Sequence, residues 1–198
     1  MKFPKAFEAL IRQIAMLPGV GRKTAERYSV EIVSRWSDSQ RKNLIQILQD
    51  INSLKLCTTC GILSEEETCS ICSDPLRDLD FLCCVASLKD LFSIESSGRF
   101  SGTYHIVDSL LSPMDGRGVE KLKIQALDAR MAKKPFREVL LAFDPSVEGE
   151  ASARYLKQFF ESKGVKVSRL AFGIPLHSTL EYVDGGTLGM AIEGRVRY

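Results

Sequence analysis

Two Cys-x-x-Cys pairs stand close together in this 198-residue chain and constrain its fold more than any other feature. They consist of Cys57, Cys60, Cys69 and Cys72. Zinc is bound tetrahedrally by four thiolates, and each pair would supply two of them from one tight turn. The spacing therefore predicts one structural zinc per chain in a closed site, without the open position that activating a water molecule requires.

The segment between the pairs, residues 61–68, is too short for a hydrophobic core and carries three consecutive glutamates that suit a solvated tip. Metal binding would supply the folding free energy that burial cannot supply here. The alternatives are two disulfides or four free thiols. We favour zinc in a reducing cytoplasm, because Glu8 and Arg12 interrupt the apolar residues of the N-terminus and leave no secretion signal.

The charge is spread unevenly along the chain. Residues 1–54 hold 9 Lys and Arg against 5 Asp and Glu, whereas residues 55–198 hold 18 against 20. A basic head on a near-neutral body allows a polyanionic partner. No apolar run reaches the roughly 18 residues of a membrane span, so we expect no membrane partner and a cytoplasmic location.

Apolar residues at helical spacing predict three helices in residues 1–54. The first stops at Pro18, and the third runs from about Asp38 to Leu54 after a capping box of Ser37 and Gln40. The second helix should bury Ala25, Tyr28, Ile32, Val33 and Trp36. The third should bury a stripe made of Leu44, Ile47, Leu48, Ile51 and Leu54.

The turn between the first two helices is a candidate phosphate site. Gly19 and Gly21 let the backbone turn sharply and bare its N–H groups, and the next helix begins at once with its positive dipole end. Lys23 and Arg27 follow on one face of that helix. The segment resembles the helix-hairpin-helix of DNA-repair proteins, which predicts DNA binding without base readout; the alternative is a plain helical hairpin.

From residue 79 onwards, apolar strands alternate with helices. Strands are expected at 81–86, 104–107, 138–143 and 165–172, with helices at 87–94, 119–133 and 147–162. Such alternation predicts a mostly parallel sheet covered by helices. Cys83 and Cys84 lie inside the first strand and should pack as small hydrophobic residues. His105 and His177 have no sequence partner for a catalytic or metal site and should be structural or surface residues.

The end of the third of these strands carries Asp144, Glu148 and Glu150 in a segment that resembles the Toprim domain of topoisomerases and primases. Toprim enzymes place magnesium on several acids, and two of those positions hold Ala86 and Ser146 here. Weak Mg²⁺ binding remains compatible with the remaining acids, but the usual acid/base is missing. We expect this acidic loop to bind a partner protein; the alternative is ordinary negative charge at a helix N-terminus.

The chain closes with a short tail, residues 173–198, that is too small to have its own core. We expect an extended stretch at 180–183, a glycine turn, and a short helix from Leu188 to Ile192. The tail should pack on its own domain or on a neighbouring subunit.

The order of these parts resembles the RecR family of bacterial recombination mediators along the whole chain. The shared motifs are Leu-Pro-Gly-Val-Gly at 17–21, the four cysteines, Phe-Ser-Gly at 100–102, Leu-Ser-Pro-x-Asp-Gly at 111–116, Val-Glu-Gly-Glu at 147–150 and Leu-Glu-Tyr-x-Asp at 180–184. The resemblance implies four parts: a helix-hairpin-helix DNA-binding domain (1–54), a four-cysteine zinc finger (55–76), a Toprim α/β domain (79–172) and a tail that makes oligomer contacts (173–198).

The same resemblance implies a non-enzymatic DNA clamp or adaptor that acts with RecO and RecF to help load RecA onto single-stranded gaps. It also implies homo-oligomers, from dimers to ring tetramers, with the hairpins facing the interior. Lys23 and Arg27 would then contact DNA, and Glu148 with its neighbours would contact RecO or RecF. Two other functions stay open at this point: a magnesium-dependent Toprim nuclease or primase-like enzyme, and a zinc-stabilised scaffold that binds only protein.

Overall fold

The computed structural model describes residues 3–107 and 109–196. The chain divides after Leu54 into two compact units. Across the described residues, no helix combines the length and the apolar character that crossing a membrane requires.

The first unit consists of helices α1 (Lys5–Ile14), α2 (Arg22–Ser34) and α3 (Asp38–Asp50), followed by a 3-10 turn at Ile51–Ser53. The capping box predicted before α3 is present, because Ser37 Oγ accepts from the Gln40 N–H over 3.2 Å and Gln40 Oε1 accepts from the Ser37 N–H over 2.8 Å. The small core of this unit includes Ile11 of α1 and Ala25 of α2.

The predicted burial of the apolar sides of α2 and α3 is wrong for most of their residues. Helix α2 buries the small residues Ala25 and Ser29, so its larger apolar side chains Tyr28 and Val33 flank that contact and stay exposed. Helix α3 buries no residue at all. Periodicity correctly identifies an apolar stripe, but the described part of this unit contains no further element that could cover it.

The second unit begins with a hairpin of β1 (Lys55–Leu56) and β2 (Leu63–Ser64), which pair antiparallel, and the short helix α4 (Ser70–Ser73). Its remaining helices and strands are β3 (Asp78–Val85), α5 (Leu88–Ser96), β4 (Gly102–Ile106), α6 (Ile124–Lys133), β5 (Glu138–Ala142), α7 (Val147–Glu161), β6 (Lys166–Arg169) and α8 (Gly185–Glu193). Further 3-10 turns lie at Pro113–Asp115, Val119–Leu122 and Leu180–Tyr182.

The four strands β3 to β6 form one sheet in the order β4-β3-β5-β6, and every pairing is parallel. The predicted α/β architecture with a parallel sheet is therefore confirmed. The residues at the end of β3 are fully buried because β3 has a strand on either side and helices cover the sheet. Cys83 and Cys84 accordingly pack on opposite faces, in two different hydrophobic clusters.

Serine side chains cap two of the helices that cover the sheet. Ser87 Oγ accepts from the Asp90 N–H at the start of α5, and Ser146 Oγ accepts from the Gly149 N–H at the start of α7. Within α5, however, Phe92 is 56% exposed although its spacing predicts burial. Leu91 fills the position facing the sheet, and the one-residue step to Phe92 turns that ring about 100° away.

Two other expectations about local structure are wrong. The helix expected at 119–133 is interrupted at Lys123, which has a φ of 52° in the left-handed region, so a 3-10 turn precedes α6. In the tail, residues 180–182 form a 3-10 turn instead of an extended stretch. The glycines expected to form a turn instead open α8, because Asp184 Oδ1 accepts from the Thr187 N–H over 2.9 Å and caps that helix.

Candidate zinc centre and nucleic-acid interface

The four cysteines converge on one point of the second unit, here called the zinc knuckle (residues 55–74). Their Sγ atoms all lie within 4.8 Å of one another, and the Cys60 and Cys69 sulfurs are 3.5 Å apart. The first pair sits in a tight turn, in which the Gly61 N–H donates to the Cys57 carbonyl over 2.9 Å. Gly61 has a φ of +82°, which favours glycine at this position.

The second pair spans the start of α4, and the knuckle is closed by backbone contacts. The Cys57 N–H donates to the Ile62 carbonyl over 2.7 Å, and the Cys69 N–H points at Cys57 Sγ over 3.4 Å. Three of the four sulfur ligands are buried. A Zn–S bond of about 2.3 Å places tetrahedral sulfurs a little under 4 Å apart, so the donor set fits zinc.

The protonation of the thiols also fits a metal-binding cluster. Burial opposes ionisation of Cys57, but N–H groups of Cys69, Cys60 and Thr59 outweigh it and lower its pKa to about 6. The hydrogen bond from Cys72 and burial raise the pKa of Cys60 well above its usual range, and burial raises that of Cys69 to about 11. Zinc therefore has to displace protons, which couples metal binding to pH.

The knuckle packs against the edge of the four-stranded sheet. The Ile106 N–H of β4 donates to the Cys60 carbonyl over 2.9 Å. Cys57, Cys60 and Cys69 belong to the same hydrophobic cluster as Tyr104 of β4. The zinc ligands are thus anchored on the sheet as well as on their own short hairpin.

Two arginines cover further backbone groups on the outer edge of β4. Arg77 Nη1 donates to the Gly102 carbonyl over 3.3 Å, and Arg130 Nη1 donates to the Tyr104 carbonyl over 2.6 Å. With the bond between Ile106 and Cys60, three outward-facing backbone groups of β4 have partners. They are the carbonyls of Gly102 and Tyr104 and the N–H of Ile106, each two residues from the next. Partners of this kind block the pairing of an exposed edge strand with another chain.

Arg77 also takes part in a polar network that the sequence motifs do not reveal. Its Nη1 and Nη2 atoms donate to both oxygens of Glu95 over 2.9 and 2.5 Å. The Tyr104 hydroxyl donates to Glu95 Oε1 over 2.6 Å. The ion pair with Arg77 and, after it, the bond from Tyr104 lower the pKa of Glu95 against the opposing effect of burial.

In the first unit, the glycine turn before α2 is open to its surroundings. Gly19 has a φ of +77°, and a Cβ at Gly19 or Gly21 would meet no atom within 4 Å. Gly21 is the N-cap of α2, and no side chain caps that helix. The first-turn N–H groups of α2 are consequently available to a ligand, where the helix dipole favours negative charge.

The cations predicted to flank this turn are exposed. Lys23 and Arg27 form no ion pair with any described residue, whereas their neighbour Arg22 is paired with Glu26 over 3.1 Å. The Arg27 guanidinium lies 5.4 Å from the centre of the Tyr28 ring. Two unneutralised charges beside open backbone amides form a surface that suits a phosphate chain.

The acidic loop lies at the carboxyl end of the parallel sheet, where ligands of such sheets bind. Asp144 follows β5, and a cavity of about 370 Å³ next to it is lined in part by Asp90 and Arg169. Gly149 is required in this loop because a Cβ there would collide with the Asp144 carbonyl oxygen. The segment is therefore held close to the strand end by backbone packing.

The three acids predicted to bind a partner differ in their surroundings. Glu150 is paired with Arg169, whose Nη2 and Nη1 atoms lie 2.7 and 3.2 Å from its carboxylate oxygens. Asp144 is exposed, Glu148 is half-buried, and neither forms an ion pair with a described residue. Within residues 3–107 and 109–196, only the four cysteines form a group of three or more possible metal ligands. Ala86 packs against the core instead of offering a ligand.

The two histidines also have no part in a site among the described residues. His105 is buried in β4, its Nε2 lies 3.2 Å from the Leu122 carbonyl, and burial lowers its pKa to about 4. His177 is exposed in the tail. Burial also raises the pKa of Cys84 to about 12, which makes this thiol a poor nucleophile.

Models of four protein families match successive parts of the chain. They are described as RecR helix-hairpin-helix (residues 7–51), RecR four-cysteine zinc finger domain (54–74), Toprim domain (80–171) and RecR C-terminal (173–196). The zinc-finger match includes all four converging cysteines. The chain therefore has one structural zinc site, and the predicted zinc cofactor is confirmed.

Curated proteins resemble the chain over nearly its whole length. "Recombination protein RecR" of Streptomyces avermitilis is 43% identical over 94% of both chains. The proteins of the same name from Desulforapulum autotrophicum and Protochlamydia amoebophila are 40% and 38% identical, over 98% and 100% of this chain and 97% and 100% of their own. With a hairpin, knuckle, sheet and tail that each match in order, the chain belongs to the RecR family.

Proposed function

We propose that this protein is a non-enzymatic DNA-binding clamp or adaptor in recombinational DNA repair. The observation that carries this proposal is the open glycine turn at Gly19 and Gly21, with uncapped amides and the unpaired cations Lys23 and Arg27 beside it. Backbone amides and lysine or arginine side chains contact phosphates without reading bases. The proposed binding is therefore independent of sequence and sensitive to salt.

A Toprim nuclease or primase-like activity has less support. Ala86 and Ser146 stand where Toprim enzymes have acids, and Ser146 instead caps α7. Glu150 is engaged with Arg169. A residual weak Mg²⁺ site would need substrate phosphates to complete its ligands. We therefore propose that the acidic loop has a binding role.

The proposed partners of that loop are RecO and RecF, which with this protein would help load RecA onto single-stranded gaps. Asp144 and Glu148 offer unneutralised negative charge at the sheet's carboxyl end, which suits a basic partner surface. Glu150 would contribute less, because Arg169 already balances its charge.

We also propose a division of the chain into four parts. These are a helix-hairpin-helix domain (1–54), a zinc finger (55–76), a Toprim domain (79–172) and a tail that makes oligomer contacts (173–198).

The DNA proposal is tested by measuring affinity for a fluorescent oligonucleotide at several salt concentrations. Lys23→Glu and Arg27→Glu should each weaken binding of every sequence and lower the slope of log K against log salt by about 0.9 for duplex and about 0.7 for single strands. Lys42→Glu is the matched control, because it makes the same charge change in the same unit at a residue paired with Asp38. Equal affinity of the wild type and both hairpin variants would refute the proposed DNA surface.

A further inference from the structure

Arg130 of α6 is held in a specific position beneath the zinc knuckle. Its guanidinium donates to the Tyr104 carbonyl over 2.6 Å and to the Thr103 hydroxyl over 3.1 Å, and it lies 5.4 Å from the centre of the Phe136 ring. All three partners are buried. The charge is therefore held by neutral groups in a half-buried position.

A charge in such a position normally has a carboxylate partner, since an unpaired buried charge is costly. Among the residues that the structure describes, no carboxylate lies within 4 Å of Arg130, in contrast to the carboxylate pairs of Arg77 and Arg137. Burial lowers the pKa of Arg130, and negative charge on the sulfurs of Cys72, Cys84, Cys60 and Cys57 would act against this effect. Three of these four sulfurs are zinc ligands.

The position of Arg130 relative to the knuckle follows from the β4 edge. Arg130 binds the outward carbonyl of Tyr104, and Cys60 binds the outward N–H of Ile106, two residues further along the same edge. Arg130 and Cys72 also line one cavity of about 410 Å³. Guanidinium and thiolates are thus neighbours, although they come from parts of the chain about 60 residues apart.

Zinc does not neutralise its four thiolates: four charges of −1 and one of +2 leave −2 on the centre. We propose that Arg130 is the counter-charge of this zinc tetrathiolate, and that it raises zinc affinity by electrostatic stabilisation of the metal-bound thiolates. Arg130 does not bind the metal; it is a positioning residue that acts from the second layer around the site. Mutation of a residue that supports metal ligands in this way typically lowers metal affinity by about 10- to 100-fold.

The test compares charge with hydrogen bonding at one position in the full chain. Arg130→Gln removes the charge and keeps a hydrogen-bond donor. Arg130→Lys keeps the charge but loses the planar guanidinium, whose two Nη atoms donate to Tyr104 and Thr103. Zinc affinity is measured by competition with a chromophoric chelator, and Co²⁺ affinity by the thiolate-to-metal absorption band. We expect Arg130→Gln to bind both metals at least tenfold more weakly, and Arg130→Lys to stay within about threefold of the wild type.

Lys134→Met is the matched control. Lys134 lines the same cavity, but its charge is paired with Asp80 over 2.6 Å, so its removal should leave zinc affinity unchanged. Equal losses in the glutamine and lysine variants would overturn the proposal in favour of a purely structural role for Arg130, and so would an unchanged affinity in both. If Arg130→Gln does not fold, Arg130→Lys decides alone, and a tenfold loss in that variant would contradict the proposal.

Discussion

The backbone N–H of Ile106 donates to the carbonyl oxygen of Cys60 over 2.9 Å, and this bond ties the zinc knuckle to the sheet. The two residues lie in different family-model segments, the RecR zinc finger and the Toprim domain. Their hydrophobic side chains share one cluster as well. Loss of the metal should therefore affect the sheet in addition to the knuckle.

Replacement of a zinc ligand should show this coupling. Cys57→Ser is expected to lower the zinc content from one per chain to near zero and to reduce the melting temperature of the second unit, because metal binding supplies folding free energy. Elemental analysis and circular dichroism measure the two effects. Cys83→Ser is the control, since Cys83 is buried in β3 outside the ligand set and its variant should keep the zinc. A full zinc complement in Cys57→Ser would contradict the four-thiolate site.

The Tyr104 hydroxyl should contribute measurably to stability and to its pH dependence. Tyr104→Phe removes a hydrogen bond to the Glu95 carboxylate, a loss of about 1.5–3 kcal/mol for a bond to a charged group. Urea unfolding at pH 7 measures this loss. The control is Tyr182→Phe at an exposed position, where no change is expected.

The sign of the pH effect follows from the pKa of Glu95, which is lower in the folded protein than its ordinary value of 4.5. The folded state therefore binds fewer protons, and the contribution of Glu95 is complete above pH 4.5 and disappears as pH falls through the folded pKa. Glu95→Gln should remove this part of the acid sensitivity. If stability falls between pH 7 and acid pH by the same amount in Glu95→Gln as in the wild type, ionised Glu95 does not contribute to the acid sensitivity.

Gly149 should not tolerate a side chain. Gly149→Ala forces a Cβ into the Asp144 carbonyl oxygen, and we expect a loss of about 1–3 kcal/mol together with displacement of the α7 N-terminus. Gly189→Ala in α8 is the matched control, because a Cβ there meets no atom within 4 Å. That substitution should be neutral or stabilise the helix by up to about 1 kcal/mol. Equal stabilities of the two variants would contradict the close approach.

The uncovered stripe of α3 should take part in self-association. Leu48 is 56% exposed and lies on the same side of the helix as Ile47 and Ile51, so Leu48→Glu is expected to lower the mass of the assembly in solution. Gln49→Glu is the control, since it introduces a negative charge at an exposed position about 100° around the helix from Leu48 and farther still from Ile47 and Ile51. Light scattering with and without DNA measures the masses. A Leu48→Glu chain with the wild-type mass would exclude this face from the oligomer contact.

Local patterns in the sequence were sufficient for the metal centre and for much of the architecture. The cysteine spacing identified the zinc site, since both pairs form tight turns whose geometry is nearly independent of the rest of the chain. Continuous apolar runs identified the buried parallel strands, and Ser37 marked a helix start because its cap involves a residue only three positions away.

Other features depend on contacts between distant residues, and no local pattern contains them. Arg77, Glu95 and Tyr104 meet only after β3, α5 and β4 have packed together. The same holds for Arg130, whose partners in β4 lie more than 25 residues earlier. Periodicity likewise shows which side of a helix is apolar but not whether anything covers it, which explains the exposure of Val33 and Phe92.

The zinc knuckle supplies part of the cover on the outer edge of β4, so that cover depends in part on the metal. A chain made during zinc starvation would lose the knuckle contact at Ile106 and weaken the neighbouring cover by Arg130. Bare strand edges of this type recruit other strands, so metal-poor cells should accumulate insoluble or chaperone-bound copies of this chain. Its working concentration would then follow zinc availability without any dedicated sensor.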